Sequence, residues 1–263
     1  MSDHTGIEWT DATFNPWWGC ERVSPACAHC YADSLARRYG HTGLWERDGA
    51  RRRFFTDEHW RKPRTWDRRA QRGGARLKVF CASMADVFED ARILDEHRSR
   101  LWSLIEETPW LHWQLLTKRP ENVMRMVPWG DVWPDNVWIG TSIENSRFTF
   151  RADLLREIPA KTRFISAEPL LGSLFLNGRP NRRPLELAGI DWVIVGGESG
   201  PGARPMDEGW AAELRDETLA AGAAYFVKQL GGYPDKRGKE KAVLDGQVWR
   251  ELPPIAGTVP GGI

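Results

Sequence analysis

The sequence predicts an α/β fold: a (β/α) barrel, closed or partial, with mainly parallel strands. Three observations lead there. Short apolar runs alternate with stretches of helical spacing, the pattern of right-handed βαβ units. Nearly every run delivers polar or charged residues at its carboxyl end, and in such a barrel those ends share the face where active sites are built. Ahead of the rhythm, residues 20–30 hold three of the chain's four cysteines, so a metal-binding loop precedes the strands.

Taken in order, Gly6 to Pro16 alternates apolar and polar residues through Ile7, Trp9 and Phe14 and reads as a strand leading into the cysteine loop. Tyr31 to Tyr39 reads as a helix, with Arg37 and Arg38 in its last turn and Gly40 as its stop. Six apolar runs follow: Lys78 to Ala82, Trp113 to Thr117, Val137 to Thr141, Thr162 to Ser166, Asp191 to Val195 and Ala223 to Lys228. Helical spacing over Ile93 to Glu107, Glu121 to Met126, Phe148 to Ile158 and Gly209 to Ala221 fills most of the gaps. The tail from Gly231, rich in Gly and Pro, reads as a hairpin with a loose end. The expected division is a barrel over 1–230, with an insertion at 41–76, and a C-terminal extension over 231–263.

Composition bounds the function. The 263 residues suit one large domain or two ordinary ones. With 37 basic against 36 acidic residues no global field marks a nucleic-acid or membrane binder, so any such preference is local. Four cysteines without a cationic, apolar leader argue for a reducing cytoplasm and against a disulfide framework. No apolar run reaches the ~18 residues of a membrane helix, so no membrane partner is expected. Most of the 15 tryptophans read as core and rim filler.

Cys20, Cys27 and Cys30 lie in a loop bent by Gly19 and Pro25, placed to converge on one soft metal centre. Three thiolates leave a coordination position. Closed by His29, His4 or Cys81, the site is a structural zinc; left open, it is a place for chemistry.

The strand ends supply what would surround it. After the six runs come, in turn, Ser83 and Asp86; Lys118 and Arg119; Ser142, Glu144 and Asn145; Ser166 and Glu168; Gly196, Gly197 and Glu198; and Lys228 and Gln229. Any one of these is equally an ordinary loop residue or helix cap, but recurrence after six strands favours a site. Gly196 and Gly197 either let a ligand approach the backbone or simply make a tight turn. Cys81, inside a strand, is either a buried small hydrophobe or, if its side chain points into the barrel, a hydrogen-atom donor.

A cysteine loop followed by an aromatic residue and opening a strand–helix rhythm resembles the radical S-adenosylmethionine enzymes. More narrowly, Phe80-Cys-Ala-Ser-Met-Ala-Asp86, Leu115-Leu-Thr-Lys-Arg-Pro120, Trp138-Ile-Gly-Thr-Ser142 and Ser166-Ala-Glu-Pro-Leu170 resemble strands of the spore photoproduct lyase-like branch. From Ile7-Glu-Trp-Thr-Asp11 to Gly196-Gly-Glu-Ser-Gly200 the chain is similar to a phage-associated three-Cys-motif family of undetermined function. The resemblance implies a partial barrel holding a [4Fe-4S] cluster on Cys20, Cys27 and Cys30. The fourth iron would bind S-adenosylmethionine, and an external donor would reduce the cluster so that it yields a 5′-deoxyadenosyl radical. Ser83, Asp86, Ser142, Glu144, Glu168, Gly196, Gly197 and Glu198 are the cofactor-binding positions it suggests, and Cys81 the hydrogen-atom donor. The spacing departs from the family's: C-x6-C-x2-C stands here for the usual C-x3-C-x2-C.

For a substrate, likeness to a DNA-lesion lyase suggests nucleic acid. Residues 41–76 carry eleven basic against five acidic residues, interleaved with Trp45, Phe54, Phe55, Trp60 and Trp66. Such a stretch suits phosphate contacts and base stacking, or is a solvated face. Asp48-Gly49, Gly73-Gly74 and the arginines Arg51 to Arg53 suggest a mobile loop or lid there. Two other classes stay open: a zinc-stabilised nucleic-acid-binding protein without catalysis, and a cluster-binding accessory subunit of a phage system.

Overall fold

The structure is a computed structural model, and it describes residues 5–46, 51–175 and 184–254. The chain opens with β1 (Ala12–Thr13) and β2 (Trp17–Trp18), crosses the cysteine loop into α1 (Tyr31–Arg38), and returns through β3 (Arg53–Phe54) to α2 (Asp57–Gly73). Then the alternation sets in: β4 (Leu77–Cys81), α3 (Asp95–Glu106), β5 (Leu111–Thr117), α4 (Val123–Met126), β6 (Val137–Ser142), α5 (Phe150–Arg156), β7 (Thr162–Ala167), β8 (Trp192–Gly196), α6 (Glu208–Ala220) and β9 (Ala224–Gln229). A hairpin of β10 (Val243–Leu244) and β11 (Gln247–Val248) follows.

Seven strands form one sheet in the order β1-β4-β5-β6-β7-β8-β9, every pair parallel. All six predicted apolar runs are in it. The sheet curls as a half-barrel, so the expected partial barrel is what the chain forms. The first predicted strand is shorter than its alternation suggested. Only Ala12 and Thr13 pair as a strand; before them the Asp11 carboxylate accepts from the Lys78 amide at 2.7 Å, and the Thr10 hydroxyl donates to the Lys78 carbonyl at 3.1 Å. Side chains there add to a backbone bond from the Asp11 amide to the Lys78 carbonyl at 3.0 Å.

Successive strand residues face opposite sides, and the two sides differ. Val79, Cys81, Leu115, Ile139, Ile165, Val193 and Val227 pack with the helices in the main core. On the other side Phe80, Trp138, Phe164, Trp192, Ile194 and Phe226 pack with Trp9 in a second, aromatic core inside the curl. Gly140 belongs to this side: a Cβ there would lie 2.4 Å from the Phe164 ring, so the ring occupies the space a side chain would fill.

Helix α2 corrects one expectation. Within the basic region, residues 57–73 are helical and not a loop, because Trp60, Pro63, Trp66 and Ala70 recur at three- and four-residue spacing and bury one stripe. Gly74, at φ +68°, ends it in the left-handed conformation. Residues 48 and 49, also expected in a mobile loop, lie outside the described residues, as does the expected loose end from 255. Up to 254 the extension packs on the main core, with Ala242 and Leu244 buried in it. Among the described residues no helix is long and apolar enough to cross a membrane.

Candidate functional site

A cleft of about 190 Å³ opens at the carboxyl ends of the strands. Its position follows from parity. Two residues beyond Phe80 on the same face comes Ala82, beyond Leu116 comes Lys118, beyond Phe164 comes Ser166, and beyond Phe226 comes Lys228; all of these line the cleft. The aromatic core thus forms its floor, with Trp9, Phe80 and Leu116 exposed to it. Of the predicted residues the cleft gathers Cys20, Cys27, Cys30, Ser83, Asp86, Ser142, Glu168, Gly197 and Glu198.

Three predicted residues stand outside it. Cys81 is fully buried in the sheet–helix core, registered opposite Leu115, and burial pushes its thiol pKa up. A hydrogen-atom donor must face the cleft, so that role is withdrawn. Glu144 is fully buried and pairs with Arg151 at 2.9 Å instead of facing the cleft. Gly196 lines no part of the cleft, but a Cβ on it would lie 2.9 Å from the Glu168 carboxylate, so its smallness makes room for that side chain.

The cysteine wall begins at Cys20, passes through a short 3-10 turn (Pro25–Cys27) and ends at Cys30, the N-cap of α1. Burial pushes the Cys20 thiol pKa up, with Asp86 adding to the shift and Arg119 opposing it; burial raises Cys30 as well. A metal reverses this by replacing the proton. Arg119 suits the deprotonated form: its guanidinium lies 3.6 Å from Cys20 Sγ, donates to the Glu21 carbonyl at 2.9 Å and pairs with Asp86 at 3.0 Å. Asp86 is in turn fixed by the Thr117 hydroxyl at 2.8 Å and the Lys118 amide at 3.0 Å. Its place is behind the cysteine wall as an orienting carboxylate.

The three thiols border one cleft, yet among the described residues no three His, Cys, Asp or Glu side chains stand close enough to share a single ion. Zinc ligands lie about 2.3 Å from the metal and crowd together. Of the fourth zinc ligands the sequence offered, Cys81 is in the core and His4 lies outside the described residues, while His29 lines the cleft with Nδ1 held by Glu198 at 2.9 Å, which leaves Nε2 for a metal. Three thiols on one cleft, with the buried Arg119 beside Cys20, are a donor set that suits a cluster, whose ligands sit on separate irons.

The facing wall carries cations that the sequence marked only as strand-end residues. Lys118 Nζ donates to the Ser142 hydroxyl at 3.1 Å and has no carboxylate within salt-bridge range among the described residues. Lys228 pairs with Glu168 at 2.7 Å, and the Ser166 hydroxyl donates to Glu168 at 3.3 Å. At the end of the cysteine wall the half-exposed Tyr31 donates its hydroxyl to the Ser83 carbonyl at 2.6 Å. Glu198 is only 5% exposed and its carboxylate is shared between His29 and Arg204. Arg204 had no signal in the sequence, because nothing periodic links it to the strands.

Among the described residues of the basic segment 41–76, none lines the cleft. Arg52 is buried and paired with Glu89, and Arg53 lies over Trp18 at 4.8 Å and donates to His41 at 2.5 Å. Both hold the ribbon of β2 and β3, so of the arginines at 51–53 these two are consumed internally and Arg51 is left exposed. Among the described residues of the segment the exposed basic ones are Arg51, Arg61, Arg68, Arg69, Arg72 and Arg76, four of them on α2.

Comparison with known proteins gives the fold an independent footing. A solved structure of spore photoproduct lyase, a cysteine-to-serine mutant, matches over 86% of this chain and 78% of its own, with a TM-score of 0.50 and 14% identity. At that identity the likeness shows the fold, a partial barrel like that of radical S-adenosylmethionine enzymes. No curated protein matches the sequence. The family described as "Protein of unknown function (DUF5131)" matches residues 4–253, nearly the whole length, and the chain belongs to it.

Proposed function

We propose that this chain is a radical S-adenosylmethionine enzyme in which Cys20, Cys27 and Cys30 hold a [4Fe-4S] cluster. The observation that carries the reading is the placement of all three thiols on one cleft with the carboxyl ends of a parallel half-barrel. Once reduced by an external electron donor, the cluster would supply reductive cleavage of the sulfonium and a carbon-centred radical.

This chain's residues do the rest. Lys118, a cation whose partner among the described residues is a neutral hydroxyl, is the position for the cofactor's carboxylate, with Ser142 beside it. Glu168, Ser83 and Ser166 offer acceptors and hydroxyls along the rim of the cleft. Arg119 balances the charge of the Cys20 thiolate, and Asp86 fixes Arg119. Trp9, Phe80 and Leu116 exclude water from below.

For the substrate the reading is nucleic acid, on the local basic character of residues 41–76. The exposed arginines of α2 would add phosphate contacts outside the cleft, giving binding that weakens with salt. The test is anaerobic purification with iron reconstitution, then reduction with S-adenosylmethionine and an assay for 5′-deoxyadenosine, comparing wild type with Cys27→Ala. Brown wild-type protein and product lost in the variant are expected. Colourless protein with stoichiometric zinc, or equal turnover in the variant, overturns the reading. Brown protein that forms product only with a second, phage-encoded chain would make it an accessory subunit.

A further inference from the structure

The Gly196-Gly197-Glu198 segment looks by composition like a cofactor-binding motif, but its geometry does something else. Gly197 and Glu198 are gripped by the turn after β9. The Gly197 amide donates to the Gln229 carbonyl at 2.9 Å, Gln229 Nε2 returns a bond to the Gly197 carbonyl at 2.8 Å, and the Gly232 amide donates to the Glu198 carbonyl at 2.8 Å. The two backbones lie so close that a Cβ on Gly197 would come within 2.2 Å of the Leu230 carbonyl oxygen, and one on Gly231 within 2.7 Å of the Glu198 oxygen. Gly231 also has φ +88°, a conformation that suits glycine. The base of Glu198 is therefore fixed.

From that base the side chain reaches across to the cysteine loop. Glu198 Oε2 receives His29 Nδ1 at 2.9 Å together with the Arg204 amide and Nε, each at 2.9 Å; Oε1 receives the other arm of the same guanidinium at 2.5 Å. That arm also donates to the Pro25 carbonyl at 3.1 Å. His29 and Pro25 flank Cys27, and His29 adjoins Cys30. A carboxylate this buried with every near partner a donor is saturated, with little capacity left for a ligand.

We propose that Glu198 is a positioning residue, which with Arg204 latches the Cys27 to Cys30 half of the cysteine loop onto the end of β8. Cys20 is held separately by Arg119, so the loop has two independent anchors. The inference deepens the cluster reading, in that it says what sets the ligand geometry, but the latch itself needs no metal.

The test uses the full chain without metal and follows alkylation of each cysteine by iodoacetamide with peptide mass spectrometry, in wild type, Glu198→Gln, Arg204→Met and the double variant. Release of the latch speeds labelling of Cys27 and Cys30 by about tenfold or more in both single variants and leaves Cys20 unchanged. Charge alone would act oppositely in the two, since losing an anion favours the thiolate and losing a cation disfavours it. The double variant labels no faster than the faster single one, because one latch is broken once. Opposite changes in the single variants, additive effects, no change, or equal acceleration at all three cysteines with a lowered melting temperature each overturn the proposal. Iron content of reconstituted wild type is measured in parallel. Its absence would sink the cluster reading while leaving the labelling result to judge the latch.

Discussion

The two walls of the cleft are built from different material. One is the stretch from Cys20 to Tyr31, a loop with a single 3-10 turn and the first residue of α1. The other is the row of carboxyl ends of five parallel strands, β5 to β9, each hydrogen-bonded to its neighbour. The thiols are all on the first wall, yet most of what fixes that wall comes from beyond it: Arg119, Glu198 with Arg204, and the Ser83 carbonyl that holds Tyr31. Regular structure supplies rigidity, and the loop borrows it through a few charged contacts. This division is economical for a metal site, because long loops tolerate insertions when their ends are pinned. It also accommodates the six-residue gap between Cys20 and Cys27.

The comparison can be broken hardest at Asp86. Asp86→Ala leaves Arg119 buried without its carboxylate and removes the acceptor for Thr117, so a loss of about 3–5 kcal/mol is expected. Urea unfolding of the metal-free chain measures it, and a loss below about 1 kcal/mol would show that the strand wall does not depend on this contact.

Next in size is the acid stability of the curl beneath the strand wall. His112 on β5 is buried against Trp138, and burial holds its imidazole down at about 4, with Arg76 and Lys78 adding and Asp11 opposing. The ordinary value is about 6.5. Between these values the unfolded chain binds the extra proton, so stability is full above pH 6.5 and falls as the pH drops towards 4, by up to about 3 kcal/mol from this group. His112→Leu flattens that limb when urea midpoints are compared across pH; an unchanged slope would place the cause elsewhere.

A smaller effect should separate the walls functionally. Lys118→Met removes a cation from the strand wall without touching the thiols, so reconstituted iron stays at the wild-type level. Affinity for S-adenosylmethionine, read by equilibrium dialysis, falls roughly 10- to 100-fold, the range of about 1.5–3 kcal/mol for a charged hydrogen bond. Parallel loss of iron would mean that Lys118 supports the cysteine wall instead.

The smallest change in stability belongs to the outer surface. Replacing Arg61, Arg68, Arg69 and Arg72 by Ser leaves the unfolding free energy within about 0.5 kcal/mol per site, as for exposed positions generally. Under the nucleic-acid reading the same variant loses its salt-dependent gel shift with short DNA or RNA. Retention of the shift would move any binding surface to the cleft mouth.

What was legible in the sequence follows the same division. The strands could be read because a buried parallel strand is a short apolar run, and β4 to β9 fall within a residue or two of their expected bounds. The strand-end residues could be read because the topology gathers carboxyl ends. Helix α2 carried its signal in Trp60, Pro63, Trp66 and Ala70, but the arginines between them drew the reading towards a loop. The side on which Cys81 lies depends on register, which one apolar run does not reveal. The pairing of His29 with Glu198 spans 169 residues, and no local pattern encodes it.

The packed rings under the cleft carry a consequence for the order of events. Trp138, Phe164, Trp192 and Phe226 fill the curl beneath Trp9 and Phe80, so whatever approaches the thiols comes from the strand-end side. A small molecule seated between Lys118 and the cysteine loop is covered by anything larger that docks above it. Turnover under the proposed reading would then be sequential, with the cofactor first on and its fragments last off.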